Sequence, residues 1–510
     1  PNCLIQLMKN LADQSFTALF WGTGGSVARI FLQLATQVTL ARILGPAEYG
    51  LFALGVIVVG VSTNFSDIGL AYGLIQKKSV NSEDIRFVWT WQCFLGLLVS
   101  GTIFFSADML AAFFAKPEAE FIFRWLSLVV LINAITAVSI NLLKKELNYK
   151  SIQIAQISSY ILGYVCVGIP LAMAGFGGIS LVASWLIQAG SNFVVLYFKV
   201  RHPLALKLWV SDGRQMLSYS LTVLGTNLIN WMLNGADKIL VGRIFPAYTV
   251  GLYTTAFNLI YSPCSILSGN LSSVVFSACA RLQDNHKALR EVFLGLLSFI
   301  TLVSFPLFII IGVGSEFVVA AIYGAAWIEA AQFLRPFALV MPFLLVWSIS
   351  TPILWNAGHT RLELWLQLPM IFLWLVVLYA VSNSAPGTVA IVAASLFAAR
   401  CIVMVLAVGN VIKIPTRSIF RAIRGGAALT VIMAIISVVL KLGINALDIN
   451  PLPQLMLMLG GAGAAYMISF FMMGPRLVDE SFNASIIQLN ERLPRWTKPM
   501  VECLLRKRKR

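Results

Sequence analysis

Arg42-Ile-Leu-Gly-Pro-Ala-Glu-Tyr-Gly-Leu-Phe52 returns without a gap, 201 residues later, as Arg243-Ile-Phe-Pro-Ala-Tyr-Thr-Val-Gly-Leu-Tyr253. Arg, Ile, Gly and Leu are identical in the two copies, and Leu44/Phe245 and Phe52/Tyr253 are conservative. Each copy is a short break between two long apolar runs. A hydrocarbon layer about 30 Å thick needs roughly 20 helical residues to cross it, and runs of that length recur along the chain. They occupy 17–41, 48–68, 86–107, 121–143, 152–173, 178–198, 217–241, 249–276, 291–313, 331–354, 362–382, 387–410, 423–441 and 454–473. The two copies therefore fall in the same place, between the first and second span of a six-span set. An even number of spans per copy makes the repeats parallel, related by an axis along the membrane normal.

The expected fold is all-α: a polytopic membrane protein of about fourteen helices, with two six-helix lobes around a central cavity and two extra C-terminal helices. The lobes are expected at 1–213 and 214–411, the added helices at 412–474, and a basic cytoplasmic tail at 475–510. Composition agrees. Hydrophobic residues make up 59% and charged residues 11% of the chain, against about 25% charged in soluble proteins. Without water, each crossing must satisfy its own backbone hydrogen bonds, which leaves helices or a closed barrel. Uniformly apolar runs exclude the alternation of barrel strands.

Basic residues fix the orientation. With the N-terminus cytoplasmic, the cytoplasmic loops and tail hold 28 of the 37 Lys and Arg, and the opposite loops hold four, Arg42, Lys116, Arg243 and Lys441. This asymmetry is the positive-inside pattern, with both termini cytoplasmic. It also accounts for the net charge of +16 without nucleic acid. The tail reads as an amphipathic helix closing in Arg506, Lys507, Arg508, Lys509 and Arg510, a membrane-surface anchor for anionic phospholipid. The first apolar run is too long for the core of a cleavable signal peptide.

Catalytic and cofactor chemistry find no support. His202, His286 and His359 lie apart in loops, the seven cysteines show no metal spacing, and no P-loop, HExxH or GxSxG occurs. No metal and no cofactor are expected. Gly22-Thr-Gly-Gly25 and Gly460-Gly-Ala-Gly463 sit in apolar runs, where small residues let helices approach closely.

Charges inside spans carry the functional signal, because they are costly there and usually face a wet cavity. Arg29 lies about 12 residues from either end of the first run, too deep to snorkel with ease. Arg400 lies past the middle of the twelfth run, and Lys238, Arg335 and Arg124 lie near span ends. For Arg29 the alternative is a structural pair with a carboxylate, whereas Arg335 and Arg124 lie close enough to the headgroups to snorkel. The acids are Asp67, which ends the second span, and Asp237, beside Lys238; both are candidates for ion coupling or for structural bonds. Interior cations outnumber interior acids. Such a cavity prefers an anion, and guanidinium binds phosphate bidentately.

Several motifs carry a family resemblance. Ala41–Phe52 followed by Ser66-Asp-Ile-Gly-Leu-Ala-Tyr-Gly-Leu-Ile-Gln-Lys-Lys78 resembles the Wzx-type polysaccharide transporters of the multidrug/oligosaccharidyl-lipid/polysaccharide flippase superfamily. Lys145-Glu-Leu-Asn-Tyr-Lys150, Phe276-Ser-Ala-Cys-Ala-Arg-Leu-Gln-Asp284 and Tyr323-Gly-Ala-Ala-Trp327 are similar to the branch that includes colanic acid exporters. The resemblance covers about residues 15–420 and implies a non-enzymatic flippase. Its cargo would be a polyprenyl-diphosphate-linked oligosaccharide, moved outward by alternating access for surface polysaccharide synthesis. It also implies a polymerase and a chain-length regulator as pathway partners, and places Arg29 where related flippases often carry a first-span cation. The drive would be the membrane potential or proton or sodium antiport. Competing readings are a lipid II flippase or a multidrug/cation antiporter of the same fold and, from another class, a membrane oligosaccharide polymerase or ligase. A drug antiporter would place acids at the cavity centre. A polymerase or ligase would carry a sizeable external loop, and none exceeds about 20 residues here.

Overall fold

A backbone that crosses hydrocarbon as a helix satisfies every interior N–H and C=O within its own segment, and the described residues are helical almost throughout. The computed structural model describes residues 2–66, 70, 71, 74, 80–210, 213–280, 285–447 and 449–477. In order the helices are α1 (Asn2–Ser66), α2 (Ser82–Phe105), α3 (Ala107–Phe114), α4 (Ala119–Lys145), α5 (Tyr149–Met173), α6 (Ile179–Val200), α7 (Gly213–Ile244) and α8 (Ala247–Ala280). They continue with α9 (His286–Val313), α10 (Ser315–Ile322), α11 (Ala331–Asn356), α12 (Thr360–Ala380), α13 (Pro386–Val411), α14 (Thr416–Asn445) and α15 (Pro451–Leu477).

Among the described residues, twelve stretches are long and apolar enough to span a membrane. The count differs from fourteen runs for two reasons. The first two runs fall together in one of the twelve stretches, although they are two helices, broken at Gly45 (φ 75°, ψ 175°) just before Pro46. α7, whose side chains at 213–223, 226 and 230 lie outside the described residues, is not among the twelve. Within α5, Ile161–Gly168 is wound as a π-helix, a rare form that concentrates at functional positions.

Two compact units emerge, Pro1–Thr254 and Thr255–Arg510. In the first, α4 packs on α1, α2 and α6, and α5 packs on α1 and α6. In the second, α11 packs on α9 and α13, and α12 packs on α13. The packing orders match: α2, α4, α5 and α6 of one unit correspond to α9, α11, α12 and α13 of the other. The short helices α3 and α10 follow α2 and α9 at equivalent points. So do the caps: Asn81 Oδ1 accepts from Asp84 N at 2.8 Å, and Asn285 Oδ1 accepts from Ala288 N at 3.1 Å, each relieving an unpaired donor of a first turn. α14 and α15, outside the repeat, attach to the second unit through α9, where Leu302, Ile310, Leu429, Met433 and Met458 form a buried cluster.

Both copies of the repeated motif lie in the first unit. They meet. A Cβ placed on Gly50 would lie 1.7 Å from the Ala247 carbonyl oxygen, and one on Gly251 would lie 1.9 Å from that of Pro46. Each glycine admits the backbone of the opposite copy, so the crossing is reciprocal. α7 reinforces it by laying Trp231 against Gly60 and Gly242 against Leu54 and Phe114. The first copy is also tied down by Glu48, whose Oε2 accepts from Gly178 N at 2.6 Å, at the head of α6.

Candidate functional site

Arg29 sits in a polar seam between α1 and α5. On α5, residues 153, 156 and 160 share one face at helical spacing, and each meets a polar residue of α1. Gln153 Nε2 donates to Ser26 Oγ at 3.2 Å, Arg29 Nη1 donates to Gln156 Oε1, and Thr36 bonds the Tyr160 hydroxyl. Lys150 stands over the Trp21 ring at 5.3 Å. Tyr160 and Tyr164 stack at 4.7 Å where the π-helical turns begin.

Among the described residues, Arg29 meets a neutral amide and forms no ion pair, and its Nε is buried without a hydrogen-bond partner. A cation at the centre of a crossing costs about 2.5–3.5 kcal/mol on insertion scales. The seam solvates this one partially and leaves its charge uncancelled. That arrangement suits an anion that arrives and leaves.

The other cations are differently placed. Arg124 donates to Glu120 at 2.7 Å and lies 5.6 Å from the Phe104 ring. Arg335 donates to Glu316 at 2.9 Å, and Lys441 joins the same carboxylate at 2.9 Å. Both arginine pairs are about half exposed, at helix ends. Lys238 Nζ donates to the Asn234 carbonyl at 3.3 Å. Its neighbour Asp237 is buried and accepts from Tyr253 Oη at 2.7 Å, a bond that ties α7 to the last residue of the second motif copy. Asp67 and the five cations Arg506, Lys507, Arg508, Lys509 and Arg510 lie outside the described residues.

Arg400 belongs to a second polar centre, inside the second unit. Its guanidinium lies 4.1 Å from the Trp347 ring centroid, with Glu363 and Tyr261 near enough to act on its charge. Glu363 accepts from Trp355 Nε1 at 2.7 Å, Gln367 Nε2 at 2.9 Å and Thr351 Oγ1 at 3.2 Å. Sequence reasoning passed over Glu363, which sits one residue inside its apolar run. It passed over Gln153 and Gln156 too, although two glutamines at i and i+3 in a crossing are the signal that marks a polar face.

The model of a family described as polysaccharide biosynthesis protein matches residues 39–332. The lipopolysaccharide biosynthesis protein WzxC of Escherichia coli (strain K12) is 24% identical over 352 residues, 68% of this chain and 70% of that protein. Among solved structures, the lipid II flippase MurJ in an inward closed conformation superposes with a TM-score of 0.68 at 13% identity, covering 89% of this chain and 99% of MurJ. An inward-facing multidrug resistance MATE family transporter of the MOP superfamily gives 0.56 at 16% identity, covering 75% and 95%. The chain thus has the all-helical MATE- and MurJ-like fold.

Proposed function

Because the chain belongs to the polysaccharide biosynthesis protein family, we propose that it flips a polyprenyl-diphosphate-linked oligosaccharide across a bacterial inner membrane. The repeat unit moves from the cytoplasmic to the periplasmic leaflet by alternating access, feeding a polymerase and chain-length regulator of surface polysaccharide synthesis. Residues 1–213 and 214–411 act as the two halves of the cycle, with both termini cytoplasmic. The protein is a transporter and uses no cofactor.

One observation carries this reading: Arg29 is a deep cation with an amide for a partner and no carboxylate. A diphosphate supplies the missing charge. Arg29 binds it first, with Lys238 in support. Arg400 already has Glu363 close by, and Arg124 and Arg335 have their own acids, so these three contribute less. The membrane potential favours outward movement of the anion by about 2.3 kcal/mol per charge per 100 mV. Proton or sodium exchange through Asp67 or Asp237 is the alternative drive.

The test is complementation of a deletion strain with Arg29→Ala and Arg29→Lys. Arg29→Ala reaches the membrane at normal level, abolishes surface polysaccharide and lets the polyprenyl-linked intermediate accumulate, as read by mass spectrometry. Arg29→Lys retains partial export, since it keeps the charge and loses the planar fork. Normal surface polysaccharide with Arg29→Ala removes this residue from the mechanism. Accumulation of lipid II in the deletion strain, in place of a repeat unit, transfers the protein to peptidoglycan export.

A further inference from the structure

α14 carries an unusual charge arrangement. Arg417, Arg421 and Arg424 fall at i, i+4 and i+7, within about 60° of one another around the helix axis, and all three are exposed. Phe420, 74% exposed, stands at the margin of the same face. Among the described residues none of the three arginines is ion-paired. Further along, that face continues as Val431, Ile435, Val439 and Leu442, all exposed. One side of one helix thus presents a cluster of guanidinium groups at its head and a bare aliphatic strip beneath.

Helix stability does not account for the cluster. The positive end of a helix macrodipole is its N-terminus, so cations in the first turns of α14 oppose it, and the first turn contains no acid to offset them. Orientation of the chain requires positive charge at this end of the span but is indifferent to which face bears it. A loop position such as Lys413 serves orientation equally well. Alignment of the guanidinium groups above the aliphatic strip is what needs a ligand, and the strip fixes the ligand's form: an anionic head on an acyl chain.

We propose that the Arg417–Arg421–Arg424 face of α14 is a binding site for an anionic phospholipid. The arginines take the phosphodiester, Phe420 inserts at the glycerol level, and an acyl chain lies along Val431 and Ile435. The occupant is a bilayer lipid, and the site stands whatever cargo the protein carries. Because α14 packs along α9 through Leu302, Leu429 and Met433, a lipid held here braces the second unit from outside the six-helix repeat.

The experiment is native mass spectrometry of the full chain from mixed micelles holding equal dioleoylphosphatidylglycerol and dioleoylphosphatidylcholine. Arg506, Lys507, Arg508, Lys509 and Arg510 are replaced by Gln throughout, to remove the tail's own attraction. The reference chain retains phosphatidylglycerol in preference to phosphatidylcholine. R417Q/R421Q/R424Q lowers retained phosphatidylglycerol roughly tenfold or more and leaves phosphatidylcholine unchanged, whereas R417K/R421K/R424K retains most of it. Equal phosphatidylglycerol on the Gln variant overturns the site. A benzophenone amino acid at position 420 gives a second readout that does not depend on the arginine variants folding. It cross-links to phosphatidylglycerol over phosphatidylcholine if the site exists, and equal labelling of the two lipids overturns the proposal.

Discussion

Replacing Gly50 and Gly251 with alanine, singly and together, tests the reciprocal crossing of the two motif copies. In Gly50→Ala the new methyl would sit 1.7 Å from the Ala247 carbonyl oxygen and 2.6 Å from its carbon; in Gly251→Ala it would sit 1.9 Å from the Pro46 oxygen and 2.9 Å from its carbon. These neighbours are backbone, so no rotamer change relieves the contact. The two segments must part by more than an ångström. Overpacking of this kind costs about 1–3 kcal/mol, and each kcal/mol lowers the melting temperature by about 2–4 °C in a unit of this size. The informative quantity is the coupling. One clash already separates the segments and makes room for the second methyl, so the double variant should melt within about a degree of the worse single variant. Independent sites would instead add within about 0.5 kcal/mol. Thermal unfolding in detergent of the four-member cycle measures this. Gly101→Ala is the control, since nothing lies within 4 Å of its Cβ position on α2. Its expected effect is neutral or slightly stabilising. Additive losses from Gly50→Ala and Gly251→Ala, or no loss from either, would refute the reciprocal contact.

Two further outcomes follow from named side chains. Glu363→Ala removes three hydrogen bonds and a negative charge that favours the buried Arg400 guanidinium and should cost about 1–3 kcal/mol; adding Arg400→Met should recover part of that loss in a melt. If the double variant is less stable than Glu363→Ala alone, the two residues do not compensate each other. His202, beyond the end of α6, is buried against Trp89 and Tyr197 with Nε2 3.1 Å from Ser139 Oγ, and burial lowers its pKa below the ordinary value despite a raising contribution from the Pro203 backbone. The unfolded chain therefore takes up a proton near pH 6.5 while the folded one resists. Stability is full above that pH and declines as pH falls through it toward the folded value. His202→Gln should flatten the dependence of melting temperature on pH between about 7 and 5; an unchanged slope assigns the pH response elsewhere.

Long-range order was legible where it had a period. The apolar runs fall on helices because desolvated backbone allows little else. Partners of single charges were not legible. Arg124 and Arg335 look alike in sequence to Arg29, each a cation within an apolar run. Glu120 lies one turn before Arg124, at a spacing a reader can find, but Glu316 reaches Arg335 from a separate helix. Gln156 reaches Arg29 across 127 residues, so the seam exists as a product of packing. The bend at Gly45 was open to inference from Gly-Pro, whereas the crossing of Gly50 with the second copy was not. Both glycines are ordinary helical positions in backbone terms, and their neighbours come from a different stretch of chain.

The π-helical stretch at Ile161–Gly168 has a consequence for chain length. Each wide turn takes in a residue more than an α-turn, so the two ends of α5 are out of phase with the winding an unbroken α-helix would give. Deleting one residue inside the stretch would restore ordinary pitch. Imposing α-pitch with every residue kept would instead swing Gln153, Gln156 and Tyr160 by about 100° relative to Ile169–Met173, away from Ser26 and Arg29. The helix behaves as a screw with one surplus thread, and residue count there sets the bearing of its polar side as firmly as residue identity does.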